Sequence, residues 1–406
     1  MAQRFFFESF QWSTIEASDD DDELIKFHVR CFGAHFQIQY RLHDLSLSPY
    51  LLKQFQDSLT LMKICELGDN LDAERALEEI HRLRQPFEEL MIKLAPNPPP
   101  SYDYLSDYLY LPILILEAIA TTQSSTAVQP NFKGELPRQS RVPIGQHISI
   151  WGHWLKSVKS LTSQQIRLLP TSSNLEEHPY LRGPTKVIAD DNTICYYKEF
   201  PAWLSPLSTV TEEKPWIHIQ ISAAINAKKL HSDIHVCRLH SVIIDDDREV
   251  LQHWPRPSKE DLYKKWGRDG CFQDWTDEQY ADPNFDLKRL VGMLVYYIDN
   301  KGTLEEIAPQ SDNEHQCRWA TELESIVGEL HSAGLVWGDA KPSNLLIDQN
   351  DQLWLIDLEG SYTPGWVDEN NRESQKGDLQ GVERIKEWLA KYDNKSTHCI
   401  GFGKNE

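Results

Sequence analysis

The chain has no C-x-x-C pair; its seven cysteines (Cys31, Cys65, Cys195, Cys237, Cys271, Cys317 and Cys399) are scattered over 406 residues. Such spacing reads as reduced thiols of an intracellular protein rather than as a disulfide framework. Long apolar runs are missing too. The longest, Tyr108 to Ala120, is interrupted by Pro112 and is too short to span a bilayer. The amino-terminal MAQRFFFESFQW carries an early acid and no long apolar core, so no signal peptide is expected. Positive charge is scarce: a formal net charge of −21 argues against non-specific binding to nucleic acid or to an anionic membrane, both of which need a basic face. No internal repeat is visible. What is present, 40% hydrophobic and 25% charged residues, is ordinary for a globular protein. The length has room for two or three domains with ample core. A soluble, cytoplasmic protein with no nucleic-acid or membrane partner is expected.

Residues 1–122 read as an amino-terminal extension. After the acidic tract Asp19 to Glu23, alternating Phe27, Val29, Cys31 and then Phe36, Ile38, Tyr40, Leu42 change phase across Gly33, which predicts a bulged strand or a hairpin. Two helical stretches follow. In the second, apolar residues from Ala73 to Leu94 recur at helical spacing, with a kink expected at Pro86. A third apolar helix is expected over about Leu105 to Thr122, which makes the extension mainly helical. Residues 123–141, rich in Ser, Thr, Pro and Gln, read as a linker.

From about Val142 strands dominate. Gln165–Leu169, Thr185–Ile188 and Thr193–Lys198 read as three successive strands, and Val236–Ile244 and Leu290–Ile298 as two more. Between the last two lies a polar insertion, residues 250–286, whose three tryptophans either dock it onto the sheet or mark a partner surface. A long helix is expected within Glu305 to Leu330.

The most informative stretch is Leu330 to Thr363. A helix end and a turn at Gly334 lead into the loop Trp337–Asn344 (WGDAKPSN). Two short apolar strands follow, Leu345–Ile347 and Leu353–Ile356, joined by the polar turn Asp348 to Gln352. The loop carries Asp339, Lys341 and Asn344, and Asp357 sits where the second strand ends. Each of Asn344 and Asp357 flanks one of two paired strands, so the hairpin brings them close. The result is two oxygen-bearing side chains for a hard cation, a carboxylate for an incoming hydroxyl, and a lysine for phosphate charge.

This stretch resembles the H-R-D-x-K-x-x-N and D-F-G motifs of the protein-kinase superfamily, most closely kinase-like proteins widespread in filamentous fungi. Asn344 stands five residues after Asp339 and Asp357 eighteen after it, as in that pattern. The resemblance implies an α+β, bilobal protein-kinase-like fold: a β-rich N-lobe over residues 142–299 and a shortened helical C-lobe over 300–406. It implies an ATP- and Mg2+-dependent phosphotransferase acting on a hydroxyl acceptor, most naturally a protein Ser/Thr. Asp339 would deprotonate the acceptor, and Lys341 would neutralise the transferred group. Asn344 and Asp357 would hold magnesium, and Lys198 (with Lys186 as substitute) would hold the α- and β-phosphates. Tyr296, Tyr297, Ile298 and Asp299 would form the hinge that binds adenine. Asp378 is the matching buried aspartate that supports the loop backbone.

Several positions depart from the family pattern. Residues 170–184 hold only Gly183 where a glycine-rich loop is expected, and residues 216–230 contain no acid to pair with Lys198. Gln220, His218, Glu212 or Glu213 would have to stand in for that acid. Trp337 replaces a histidine, Gly338 an arginine and Glu359 the D-F-G glycine; the extra carboxylate either tunes the metal or points away. Gly338 implies no control by a phosphorylated activation loop. Two other readings follow from these features: a non-catalytic pseudokinase scaffold, or a small-molecule kinase, since W-G-D resembles the H-G-D of aminoglycoside and choline kinases.

Overall fold

The computed structural model describes residues 8–15, 23–66, 73–97, 102–136, 158–169, 181–182, 184–199, 234–246, 288–358 and 363–391. The expected helix at 216–230, the insertion at 250–286 and Glu359 lie outside them.

The chain starts with an antiparallel meander, β1 (Glu8–Ile15), β2 (Leu24–Cys31) and β3 (Ala34–Arg41). Cys31 pairs with Ala34, and the two residues between them, Phe32 and Gly33, have φ of 51° and 75°. A two-residue turn with both φ positive matches the twist of its strands, so the phase change at Gly33 is a hairpin. Four helices follow: α1 (Leu42–Leu45), α2 (Pro49–Glu66), α3 (Ala73–Arg84) and α4 (Glu88–Leu94). The expected break at Pro86 is a single 3-10 turn, Gln85–Phe87. Phe55, Leu59, Phe87 and Met91 from these helices pack on Phe27, Val29, Phe36 and Ile38 from one face of the sheet.

Two expectations are corrected in the next stretch. The helix expected over Leu105 to Thr122 is only α5 (Leu105–Leu109); beyond Pro112 the chain runs as β4 (Ile113–Ile119), parallel to β3. Proline has no N–H to donate and disfavours helical backbone in the residue before it, and the apolar residues that follow fill the open edge of β3. The stretch 123–141, read as a linker, contributes β5 (Gln129–Leu136), paired antiparallel with β4. Its side chains gave no strand pattern because backbone groups alone make an edge pairing. The extension is therefore α+β rather than mainly helical.

The other face of this sheet carries a buried polar chain. Arg41 Nη2 donates to Gln39 Oε1 (2.9 Å) and Gln39 Nε2 to Gln37 Oε1 (2.6 Å). Gln37 Nε2 meets His28 Nε2, and His28 Nδ1 meets His35 Nε2, each at 3.2 Å. Burial, helped by the nearby Lys26 and Arg30 charges, lowers the His28 pKa from 6.5 to about 3. The folded chain thus keeps His28 neutral while the unfolded chain takes up a proton below 6.5, so stability is full above that pH and lost as pH falls toward 3. Between pH 7 and 5 the expected loss from this group is roughly 2 kcal/mol. Urea midpoints at the two pH values should show it, and His28→Gln should flatten that part of the slope.

The second sheet is built from β6 (Ser160–Leu161), β7 (Arg167–Leu168), β9 (Lys186–Ile188), β10 (Ile194–Glu199), β11 (Leu239–Asp246) and β12 (Lys288–Tyr296). Its order is β6-β11-β12-β10-β9-β7. The three expected successive strands are β7, β9 and β10, neighbours in an antiparallel meander. The short β8 (Leu181–Arg182), between β7 and β9 in sequence, instead joins the first sheet beside β1. One face of the second sheet, with Val187, Cys195, Tyr197 and Val291, packs on Leu105, Tyr108 and Leu109 around α5.

The last unit begins with β13 (Asn300–Thr303) and α6 (Leu304–Ile307), capped by Thr303. The long helix is α7 (Asn313–Ser332), whose N-cap Asp312 accepts from the His315 N–H. Then come β14 (Leu345–Asp348), β15 (Leu353–Leu355) and α8 (Gln375–Ala390), with β14 central in a three-stranded sheet. Trp319, Leu323 and Leu330 of α7 share one core with Leu345, Ile347 and Leu355 of the hairpin and Val382 and Ile385 of α8. Among the described residues no helix is long and apolar enough to cross a membrane. The architecture as a whole is mixed α+β.

Candidate functional site

The Trp337–Asn344 loop is held from below by α8. Asp378, in the first turn of that helix and 1% exposed, accepts the Trp337 N–H through Oδ2 and the Gly338 N–H through Oδ1, both at 2.8 Å. His331 Nε2, at the end of α7, lies 2.9 Å from Oδ2. Burial pushes the Asp378 carboxyl above its usual range, and these hydrogen bonds oppose that shift by favouring the anion. Gly338 has φ of 95°, a region that a side chain makes costly, which accounts for glycine at this position. Trp337 is fully buried, and its indole N–H donates to the Ile356 carbonyl at 3.1 Å. The loop is thereby tied to the strand end that carries Asp357.

Three expected residues gather on this loop, with one that the sequence reading missed. Lys341 Nζ lies 2.7 Å from Asp339 Oδ2. Asn344 Nδ2 donates to the Asp339 backbone carbonyl (2.9 Å) and to Asp339 Oδ2 (3.2 Å). With its amide donors turned to Asp339, Asn344 offers its carbonyl oxygen elsewhere. The newcomer is Thr363. Its hydroxyl donates to Asp339 Oδ1 at 2.8 Å and accepts from Lys341 Nζ at 3.0 Å. Thr363 stands twenty-four residues after Asp339 with no local pattern to mark it; only the fold brings it here.

Asp357 and Lys198 face each other across a cavity. Lys198 Nζ is 2.7 Å from Asp357 Oδ1, with both side chains about one-third exposed. Burial lowers the Lys198 pKa, and the Asp357 charge works against that. Asp357 has φ of 60°, a conformation that costs a non-glycine residue about 1 kcal/mol or more. The Ile356 N–H donates to the Asn344 carbonyl at 3.0 Å, so Asn344 and Asp357 stand one residue out of register at the mouth of the hairpin.

The cavity has a volume of roughly 500 Å³, within the usual range for small-molecule sites. Its roof is the second sheet, with Lys186, Tyr196, Lys198, Met293 and Val295; its floor is Leu346, Ile356 and Asp357. Tyr296, Tyr297 and Ile298 close one side, and Lys186 Nζ lies 4.0 Å over the centre of the Tyr297 ring. Cys237 also lines it; its thiol faces the Tyr296 carbonyl at 3.8 Å, and burial pushes its pKa up to about 12. The fourth expected residue of this segment, Asp299, does not line this cavity. It borders a neighbouring groove with Arg238, Asp348 and Trp354. Asp339, Lys341 and Asn344 are not part of the cavity wall either and form their own cluster around Thr363.

The strand that presents Lys198 is fitted closely against β12. Gly292 pairs with Glu199, and a Cβ at Gly292 would stand 2.5 Å from the Lys198 carbonyl oxygen and 2.7 Å from Tyr197 Cε2. Gly292→Ala must therefore move β10. It should cost about 1–3 kcal/mol in a urea titration, the usual range for overpacking.

Compared with family models and with curated proteins, the chain matches none.

Proposed function

We propose that the chain is an ATP- and Mg2+-dependent phosphotransferase of protein-kinase-like type, bilobal about the cavity, with a protein Ser/Thr hydroxyl as acceptor. The observation that carries this reading is the Asp339–Lys341–Thr363 cluster. The Thr363 hydroxyl gives its proton side to a carboxylate and its lone pair to a lysine, as an acceptor alcohol would. Beside it, an apolar cavity with two lysines in its roof and a carboxylate in its floor suits a flat ring joined to an anionic tail.

Under this reading Asn344 and Asp357 would hold magnesium. Among the described residues no three His, Cys, Asp or Glu side chains gather where they could hold a metal ion. Asn344 and Asp357 supply two hard oxygens, the number with which this ion is ordinarily held when phosphates and water complete its shell. When bound, it would neutralise phosphate charge. Asp339 would take the proton of the acceptor hydroxyl, and Lys341 would lower the charge on the group in transfer. Lys198, released from Asp357, would hold the α- and β-phosphates, while Tyr296, Tyr297 and Ile298 would contact the base. Asp299, which borders the neighbouring groove together with these three, would complete the segment that the resemblance assigns to the base.

A second reading, a non-catalytic scaffold, is favoured by the pairing of β8 with β1, which takes up chain where a phosphate-gripping loop is expected. A thermal-shift titration tests both. At about a hundredfold excess over the dissociation constant, Mg-ATP should raise the melting temperature by about 2–5 °C in the parent and not in Asp357→Ala. No shift in the parent would sink the enzyme reading. Given binding, transfer of labelled phosphate to protein or to a small-molecule extract identifies the acceptor class, and no transfer leaves the scaffold.

A further inference from the structure

Two contacts tie the amino-terminal sheet to the walls of the cavity. The first is an ion pair. Arg30, on the polar face of β2 and 5% exposed, reaches Glu199 of β10 (Nη1 to Oε1, 3.5 Å) while its guanidinium lies 4.3 Å over the Tyr108 ring. Glu199 adjoins Lys198, and consecutive residues of a strand point to opposite faces. A grip on Glu199 from one side of the sheet therefore sets where β10 presents Lys198 on the other. The second contact is made by backbone. Leu169 and Thr185, at the two ends of the connection from β7 to β9, both line the cavity. Within that connection, Leu181–Arg182 pairs with Glu8–Ser9 of β1. The Thr185 carbonyl also accepts the Tyr197 N–H at 2.7 Å, which links the rim to the strand of Lys198.

We infer that the amino-terminal α+β unit is a working part of the cavity: Arg30, acting through Glu199, positions the strand of Lys198. Arg30 and Glu199 are positioning residues; neither touches the cavity itself. The nucleotide-affinity part of this inference rests on the function proposed above; the positional part does not.

Hydrogen exchange on the full chain without ligand, together with Mg-ATP calorimetry, tests it in Arg30→Gln and Glu199→Gln. Amides of Cys195–Glu199 should exchange about tenfold faster in both variants, with those of Leu345–Leu355 unchanged, and the Mg-ATP dissociation constant should rise about tenfold. Unchanged exchange in β10 overturns the inference. Faster exchange throughout the chain, including the hairpin, also overturns it, since the pair would then be merely structural. Local loosening with unaltered Mg-ATP affinity removes the positioning role. Glu199→Gln keeps the side-chain shape, so it reports even where Arg30→Gln does not fold. A parent that binds no Mg-ATP defeats the nucleotide reading alone, and the exchange result still decides whether the unit grips β10.

Discussion

Asp378→Ala should lower the folding stability by about 3–5 kcal/mol, the range expected when one partner of a buried, hydrogen-bonded charge is removed. The substitution leaves the Trp337 and Gly338 N–H groups without their acceptor and removes the carboxylate beside His331. Water cannot easily replace it, because the carboxylate sits beneath the loop at 1% exposure. Asp378→Asn is the informative companion: it keeps one carbonyl acceptor but turns an amide donor toward the other N–H, so its cost should fall between those of the parent and the alanine. Urea titrations with a constant m-value measure both. A loss below about 1 kcal/mol for the alanine variant would mean that the loop is held by something other than this carboxylate. The effect should reach beyond stability, since the residue after Gly338 is Asp339, and displacement by as little as an ångström from its partners is costly for chemistry.

The second large effect is expected at Asp339. If it takes the proton of the acceptor, Asp339→Asn should reduce phosphoryl transfer by about 10²- to 10⁴-fold. Mg-ATP affinity should stay within about threefold, because Asp339 is not part of the cavity wall. The carboxamide keeps the volume and the hydrogen bond to Thr363 or Lys341, so loss of folding is not the expected cause of a loss in rate. Single-turnover transfer measured beside calorimetric binding separates the two quantities. Equal losses in binding and in transfer would move Asp339 from proton acceptor to a support of the site.

How much of this was readable in advance depended on the range of the interactions. The strands around Asn344 and Asp357 were legible because short apolar runs and a polar turn specify a hairpin locally, and pairing of Leu345 with Leu355 follows from it. Asp378 was expected only through the resemblance, and the break at Pro86 through backbone chemistry. The stretch from Ile113 to Ile119 was misread because an apolar run is compatible with helix or strand, and the open edge of β3, some eighty residues earlier, made the choice. Asp299 was expected beside Tyr296, Tyr297 and Ile298 through the resemblance alone; all four border the neighbouring groove, and the first three also line the cavity. Thr363 carried no signal at all, since a threonine in a Thr-Pro-Gly turn is ordinary turn chemistry.

Short-range chemistry therefore specified the acid, the lysine, the amide and the second acid, and the two strands that space them, since each depends on residues within about twenty positions. Packing between distant segments settled the rest. It chose which polar residues share a cluster, it joined Lys198 to Asp357, and it laid Arg30 against Glu199. Hydrogen bonds and ion pairs between residues more than a hundred positions apart leave no periodicity in a chain; they exist only once the sheets have folded against one another.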